Sequence, residues 1–336
     1  GAHVTAATGA SGRWRGRRDA WYDAWRVIRG NRQSLLGVVI LTAFVLIGIV
    51  GPFLVGAIDK AAANKPLLSP SLAHLFGTDR SGRDLFVTNI WATRISLLVG
   101  IVASLLSMII GAGIGISAGY LGGRWDAWLM RFTDFFYVLP TLVLALVLAA
   151  VLGPSLTNVI IVIAITAWPA TARVIRSQTL SIRERMFVDR ARATGASSLR
   201  IMRRQVLPNV FGLVLANTTL TIAGAIFLET TLSFLGVGPK DTYSWGRILD
   251  ESLAAGALTL GKWAWFVPPG VAVVLVVLAF TLIGGAFDEI LDPRLRRRTG
   301  GAADPRGPDV TAAGGSMLSI ESPSVAASES FERRGG

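Results

Sequence analysis

Gly256-Ala-Leu-Thr-Leu-Gly261-Lys262 carries the two glycines and the lysine of a loop that could cradle phosphate. The next position is Trp263, where such a loop needs a Ser or Thr hydroxyl for magnesium, and no strand pattern leads into it. ATP binding is therefore not expected there. His3 and His74 are the two histidines, and they lie far apart, so a metal site built on them is not expected. Cys is absent, which excludes a cysteine nucleophile, a thiolate metal site and a disulfide framework. No nucleophile–base constellation or HExxH pattern is present, so an intramembrane enzyme is not expected and no catalytic residue is assigned. Glu229 is an acid within an otherwise apolar run. Ionisable groups in such runs are functional suspects. A hydrogen-bonded structural carboxylate near one membrane interface and a pore or docking role both fit it.

The remaining candidate is mechanical. Residues 187–209 read FVDRARATGASSLRIMRRQVLPN, a basic helical stretch between long uncharged segments. Residues 173–204 hold nine Arg against two acids, Glu184 and Asp189. A loop of this kind suits a soluble partner that must push on a membrane-embedded part.

The elements around it follow from composition. The chain has 336 residues, 52% hydrophobic and 16% charged, against about 25% charge in ordinary soluble domains. Mean hydropathy is +0.55. Five stretches lack Asp, Glu, Lys and Arg: 33–58, 95–123, 135–172, 205–228 and 263–287. A spanning helix needs about 20 apolar residues. The third stretch is too long for one helix, and Gly153-Pro154-Ser155 divides it into a hairpin. The expected class is an all-α membrane protein with six spans, at about 34–57, 95–120, 132–152, 157–176, 208–233 and 264–288. A loop over 177–207 joins the fourth and fifth.

Basic residues set the expected orientation. Residues 1–33 hold seven Arg against Asp19 and Asp23, and Arg294 to Arg298 follow the sixth span. The positive-inside rule puts both termini and the 173–204 loop in the cytosol, at a plasma (inner) membrane. The first outer loop, 59–94, is mildly basic and runs against the rule. The net charge of +12 reads as topology, with the lipid bilayer as partner and no nucleic acid. Trp14, Trp21, Trp25 and Ile28 recur at roughly helical spacing among arginines, so residues 1–30 read as a leader and an interfacial amphipathic helix. Residues 31–298 form the membrane domain. Residues 299–336, rich in Gly, Ser, Ala and Pro, read as a disordered cytosolic tail.

Within the basic loop the pattern is helix, glycine, helix. Phe187, Ala191 and Thr194 share one face, and Gly195 permits a left-handed turn. Ser197 and Ser198 suit the cap of the next helix, and Leu199, Met202 and Val206 form its apolar face. Pro208 sits in the first turn of the fifth span.

These residues resemble the EAA loop of ABC-importer permeases. That pattern is Glu-Ala-Ala, three residues, Gly, nine residues, Ile, one residue, Leu-Pro. Here Asp189, Arg190 and Ala191 stand at the first three positions, and Gly195, Leu207 and Pro208 keep register. Asp replaces Glu, Arg replaces the first Ala, and Gln205 stands where Ile is usual. Further stretches are similar to the C-type permease subunit of dipeptide and oligopeptide ABC importers: FGTDRSGRDLF (76–86), RISLLVG (94–100), AGYLGGRWDAWLMRFTDFF (118–136), ETTLSFLGVG (229–238), SWGRIL (244–249) and FDEILDPRLR (287–296). The resemblance implies a type I importer permease fold with a cytosolic coupling helix. It implies a pore shared with a homologous second permease subunit, two ATPase subunits or domains beneath, and an extracytoplasmic solute-binding protein opposite. ATP and magnesium then belong to the ATPases, with no cofactor on this chain. It also implies that Asp189, Arg190, Ala191, Gly195, Ala196, Ser197, Leu207 and Pro208 couple to the ATPase. The loop after the fifth span, with Trp245, Arg247 and Asp250, is expected to face the binding protein.

The alternative is an ion-gradient-driven secondary transporter, which normally shows buried acids near mid-membrane. No apolar run here has an acid at its centre. Gly111, Gly115 and Gly119 recur every four residues, as in a close helix-packing seam or a moving gate contact. Asp134, beside Arg131, is expected to cap the start of the third span, and Asp288 and Glu289 to end the sixth in solvent. Pro140, Pro169, Pro268 and Pro269 read as fixed bends or hinges. Asn217, Thr218 and Thr219 fit interhelical hydrogen bonds or a pore lining equally.

Overall fold

A computed structural model of the chain describes residues 31–58 and 64–291, with side chains as far as residue 285. The expected leader and interfacial helix (1–30), the tail (299–336) and the side chains of Asp288 and Glu289 lie outside the described residues.

The described residues form helices and turns, with no strand longer than an isolated Thr78–Asp84 bridge. In chain order the helices are α1 (Arg32–Val55), α2 (Leu85–Leu121), α3 (Gly123–Val138), α4 (Thr141–Leu152), α5 (Leu156–Arg183), α6 (Met186–Ala193), α7 (Ser198–Phe234), α8 (Trp245–Ala254) and α9 (Trp263–Leu291). Five of them, α1, α2, α5, α7 and α9, are long and apolar enough to cross a membrane. The count is six if α3 and α4 form one bent span.

Four boundaries differ from the sequence expectation, among them the fifth span, which begins at Ser198 rather than near residue 208. The 59–94 loop is shorter, because α2 begins at Leu85 rather than near residue 95. Its N-cap is Asp84, whose Oδ1 accepts from the Phe86 and Val87 amides at 2.8 and 3.2 Å. His74 Nδ1 lies 2.8 Å from the other carboxylate oxygen. Arg94, which ended the apolar run in the sequence, is an exposed residue on this helix.

The third expected span is not one straight helix. It breaks at Leu139–Pro140, and α3 and α4 meet at 87°. Proline pushes its predecessor away from the helical region, and Leu139 is extended at φ −69°, ψ 133°. At 12 residues, α4 is about 18 Å long, short of the roughly 30 Å hydrocarbon core. The charged 124–134 stretch is helical because its acids have partners on α5. Asp126 accepts two bonds of 2.6 Å from Arg176. Asp134 accepts one of 2.6 Å from Arg173, whose guanidinium lies 3.8 Å from the Tyr137 ring centroid. Asp134 is thus a mid-helix ion-pair partner and caps nothing.

The hairpin at Gly153 is as expected. Gly153 takes φ +83°, and Ser155 caps α5 by accepting from the Asn158 amide at 3.1 Å. The Asn158 side chain closes the turn on the Leu152 carbonyl at 2.7 Å. The fourth span runs past residue 176, since α5 continues to Arg183. Arg173 and Arg176 therefore belong to a helix and not to the basic loop.

The glycine repeat is the packing seam between α2 and α5. A β-carbon on Gly111 would stand 2.8 Å from the Trp168 carbonyl oxygen, and one on Gly119 would stand 2.7 Å from Thr179 Cβ. At Gly115 it would lie 2.5 Å from the Ala172 carbonyl oxygen. Without side chains in the way, the two backbones touch over three turns. Asn217 of α7 donates to Thr171 Oγ1 of α5 at 3.0 Å, the interhelical one of its two readings. Thr218 donates to the Val214 carbonyl of its own helix and also lies 2.9 Å from Met108 Sδ of α2, whereas Thr219 donates only to the Leu215 carbonyl of its own helix among the described residues.

The seam separates two otherwise similar glycines. Gly113, also on α2, has open space where a β-carbon would stand, with nothing within 4 Å. Gly115→Ala should destabilise the protein by about 1–3 kcal/mol through overpacking, whereas Gly113→Ala should be neutral or gain about 0.5–1 kcal/mol. Thermal unfolding in detergent should place Gly115→Ala below the parent and Gly113→Ala at or above it.

Candidate functional site

The basic loop condenses into an elbow. Chain reversal after α6 is a Schellman turn, in which the Gly195 amide donates to the Arg192 carbonyl at 2.9 Å and the Ala196 amide to the Ala191 carbonyl at 3.1 Å. Gly195 has φ +77°, the left-handed conformation that a β-carbon penalises. The space around it is open, with nothing within 4 Å. The backbone angle, and not crowding within this chain, is what calls for glycine.

From Ser197 the chain enters α7, which holds its direction for 37 residues. Ser197 occupies the N-cap position without a side-chain capping bond. Residues Met202–Val206 form a π-helical turn, closed by the Leu207 amide on the Met202 carbonyl. Pro208 follows at once. It therefore sits inside a continuous helix rather than at a free helix start. A proline lacks the amide of a normal turn and its ring presses on the carbonyl four residues back. The wider π turn absorbs that conflict.

Burial anchors the elbow to the bundle. Val188, Ile201, Val206 and Val210 are all at most 1% exposed and pack with Ile116 and Tyr120 of α2 and Ile175 and Ile182 of α5. Ala191 and Ala196 are partly buried against the same cluster. The expected faces hold at Ala191, Met202 and Val206 and fail at their leading residues. Phe187 is exposed while Val188 is the buried residue, and Leu199 is exposed while Ile201 takes its place.

The outward surface is cationic. Arg190, Arg200, Arg203 and Arg204 are exposed and form no ion pair among the described residues. They rim two adjoining clefts of about 500 and 400 Å³, floored in part by Leu199 and Ala196. Asp189 is exposed and accepts from Arg192 Nη1 at 3.1 Å. Arg192 also lies 5.3 Å from the Tyr120 ring centroid, which ties the acid to the end of α2. Leu207 and Pro208 are exposed on the first turns beyond the π turn.

At the far end of α7 the chain folds back through α8. Trp245 is fully buried, edge-on to Phe44 at 5.8 Å, so it forms part of the core and not of an outer recognition face. Arg247 is half-buried. Its Nε donates to Glu251 at 2.9 Å, its Nη1 donates to the Lys240 and Thr242 carbonyls, and it lies over the Tyr243 ring. Asp250 is half-buried. Exposed apolar residues of this end include Leu72, Leu75, Leu253, Leu258, Leu260 and Trp263. Lys262 of the phosphate-loop lookalike donates to the Leu67 carbonyl and to Ser69 Oγ, both at 3.0 Å, which makes it a structural tie. Arg80 does the same work through the Ala255 carbonyl at 2.7 Å. The ties join residues 175 and 195 positions apart, and nothing in local spacing announces them.

The chain matches two family models. Residues 111–297 match the binding-protein-dependent transport system inner membrane component. Residues 20–70 match the N-terminal TM domain of oligopeptide transport permease C. Among curated relatives it is similar to the dipeptide transport system permease protein DppC of Bacillus subtilis (strain 168), at 36% identity over 82% of this chain and 86% of the relative. It is also similar to the oligopeptide transport system permease protein OppC of the same organism, at 34% identity over 82% of this chain and 90% of the relative. DppC of Alkalihalophilus pseudofirmus is 35% identical over 82% of this chain and 90% of the relative. A permease subunit of this kind carries no ATPase site of its own, and hydrolysis lies in separate subunits. With one family model spanning the elbow and most of the helical core, and relatives aligned over most of its length, the chain belongs to the binding-protein-dependent transport system inner membrane components.

Proposed function

We propose that this chain forms half of the translocation pore of an ATP-driven importer of di- or oligopeptides. The observation that carries the reading is the union of elbow and spanning helix. The Gly195 turn and α7 are one continuous piece, so a push on the elbow is a push on a helix that crosses the membrane. The peptide cargo rests on the named transport of the relatives. A homologous second permease supplies the other half of the pore. Two ATPases, holding ATP and magnesium, receive one elbow each on the cytosolic side. A solute-binding protein docks at the α8 end. Both termini are cytosolic in this arrangement.

The elbow then works as a lever with two positions biased by nucleotide. Asp189, Arg190, Ala191, Gly195, Ala196 and Ser197 present it to the ATPase, while Leu207 and Pro208 join it to α7. Arg247 and Asp250 remain at the binding-protein end. Trp245 acts there as a buried support.

Vesicles containing this chain, its permease partner and the ATPases should take up peptide with ATP and binding protein, and this chain by itself should take up none. Uptake by the lone chain under a proton gradient would overturn the reading. Gly195→Asn should retain most uptake, because Asn tolerates left-handed backbone angles. Gly195→Val should lose most of it, at a backbone cost of about 1–2 kcal/mol, with membrane insertion unchanged in both. Asp189→Asn should alter chain stability by no more than about 0.5 kcal/mol, as its ion pair is exposed. It should nevertheless reduce co-purification of the ATPase.

A further inference from the structure

Glu229 lies on α7 about nine turns beyond the elbow and is 1% exposed. Its carboxylate is held by hydroxyls from different parts of the fold. Ser96 Oγ of α2 donates to Oε2 at 3.1 Å, and Ser233 Oγ of α7 donates to Oε1 at 2.8 Å. The Ser244 hydroxyl, at the N-cap of α8, completes the polar surround. Ser96 Oγ in turn accepts from the Trp245 amide at 3.2 Å. No Lys or Arg pairs with Glu229 among the described residues. The start of α8 thus reaches the carboxylate through Ser96, while the Arg247 amide is taken by Ser244 Oγ at 3.4 Å.

Packing reinforces this junction. Gly246 of α8 lies directly on α7, where a β-carbon would come 2.8 Å from Thr230 Cα and 2.7 Å from Ser233 Cβ. Trp245 and Ile248, the buried residues beside it, insert into the cluster that also holds Leu97 of α2 and Ile226 of α7. Two ties fasten the rest of this end to α8's flank: Arg80 to the Ala255 carbonyl and Lys262 to the Leu67 carbonyl. The 64–84 segment, α8 and the 255–262 turns therefore form one cap. Glu229 is where that cap meets the helix bearing the elbow.

We propose that Glu229 is a positioning residue that locks the α8 cap to α7, so that displacement of the elbow is transmitted to the opposite end of the membrane domain. The proposal rests on the lever reading of the elbow given above. A buried carboxylate held by several hydroxyls suits this task, because breaking any one bond leaves a buried polar group unsatisfied. The joint therefore resists slippage.

The test uses the assembled complex of this chain, its permease partner and the ATPases, followed by hydrogen exchange of the α6–α8 amides with and without ATP. In the parent, ATP should change exchange both at the elbow and in α8. In Glu229→Ala the elbow response should persist and the α8 response should fall at least about fivefold, the low end of coupling between sites. Glu229→Gln keeps the acceptor and lets the serine hydroxyls reverse direction, so it should restore the α8 response. Ser96→Ala removes the bond to Glu229 and the one from the Trp245 amide, Ser233→Ala removes one bond, and both should give intermediate losses, the larger at Ser96, which keeps the test open if Glu229→Ala fails to assemble. An unchanged α8 response in Glu229→Ala, or in both serine variants, would overturn the joint while leaving the lever intact. A parent elbow that ignores ATP would overturn the lever itself, and the joint with it. Equal loss at the elbow and at α8 in assembled Glu229→Ala would overturn the joint by assigning the residue a folding role instead.

Discussion

The close contact of α2 with α5 is the constraint on which the rest of the structure depends. Apolar helices in a bilayer gain no hydrophobic free energy from associating, so tight packing and hydrogen bonds must hold them. Gly111, Gly115 and Gly119 supply that packing by presenting bare backbone to Trp168, Thr171, Ala172 and Thr179. The ends of the same two helices provide Ile116, Tyr120, Ile175 and Ile182, the bed on which the elbow rests. Arg173 and Arg176, on the outer side of α5, then anchor α3 through Asp134 and Asp126. One seam thereby fixes the elbow, the bent α3–α4 pair and the floor beneath α7.

Polar groups follow a matching economy. Hydrocarbon offers no water, so each must find a partner in the protein. Thr88, Thr93, Thr166, Thr179, Thr218 and Thr230 donate to carbonyls three or four residues back on their own helices. Asn217 crosses to α5 and Glu229 gathers serines from two helices. The charged pairs Asp126–Arg176 and Asp134–Arg173 sit on the partly exposed margin of α3 and α5. Aromatic rings line the same margin, with Trp125, Trp128 and Phe132 stacked in series. That combination of rings and charges is characteristic of the membrane–water boundary.

Local signals in the sequence were the legible ones. Gly195 announces its turn because a positive φ has few other solutions, and Gly153-Pro154-Ser155 announces the hairpin for the same reason. The four-residue glycine spacing made a close helix contact legible, and the structure shows it as the α2–α5 seam. What could not be read was which distant groups pair. The spans expected at 95–120 and 132–152 leave the charged residues between them as a connection, because Arg173 and Arg176 are 39 and 50 positions from their partners. Trp245 looked like an outer recognition residue, but its indole is consumed by the core beside Phe44. Asp84 was a readable signal that Arg94 obscured: an acid immediately before an apolar helix start is a cap, whatever charge follows a few turns later. On the elbow, Ala191, Met202 and Val206 pack as their spacing implied, whereas Val188 and Ile201 replace Phe187 and Leu199 because the bed beneath selects them.

The π turn at Met202–Val206 has a directional consequence. It accommodates one residue more than an α turn would, and successive residues on a helix are about 100° apart. The surplus residue sets the compass heading of everything on its N-terminal side relative to the shaft of α7. With regular winding, the arginine-rimmed clefts would look more than a quarter-circle away from their present bearing. The proline after it is thus a steering element: by refusing an ordinary turn, it aims the handle.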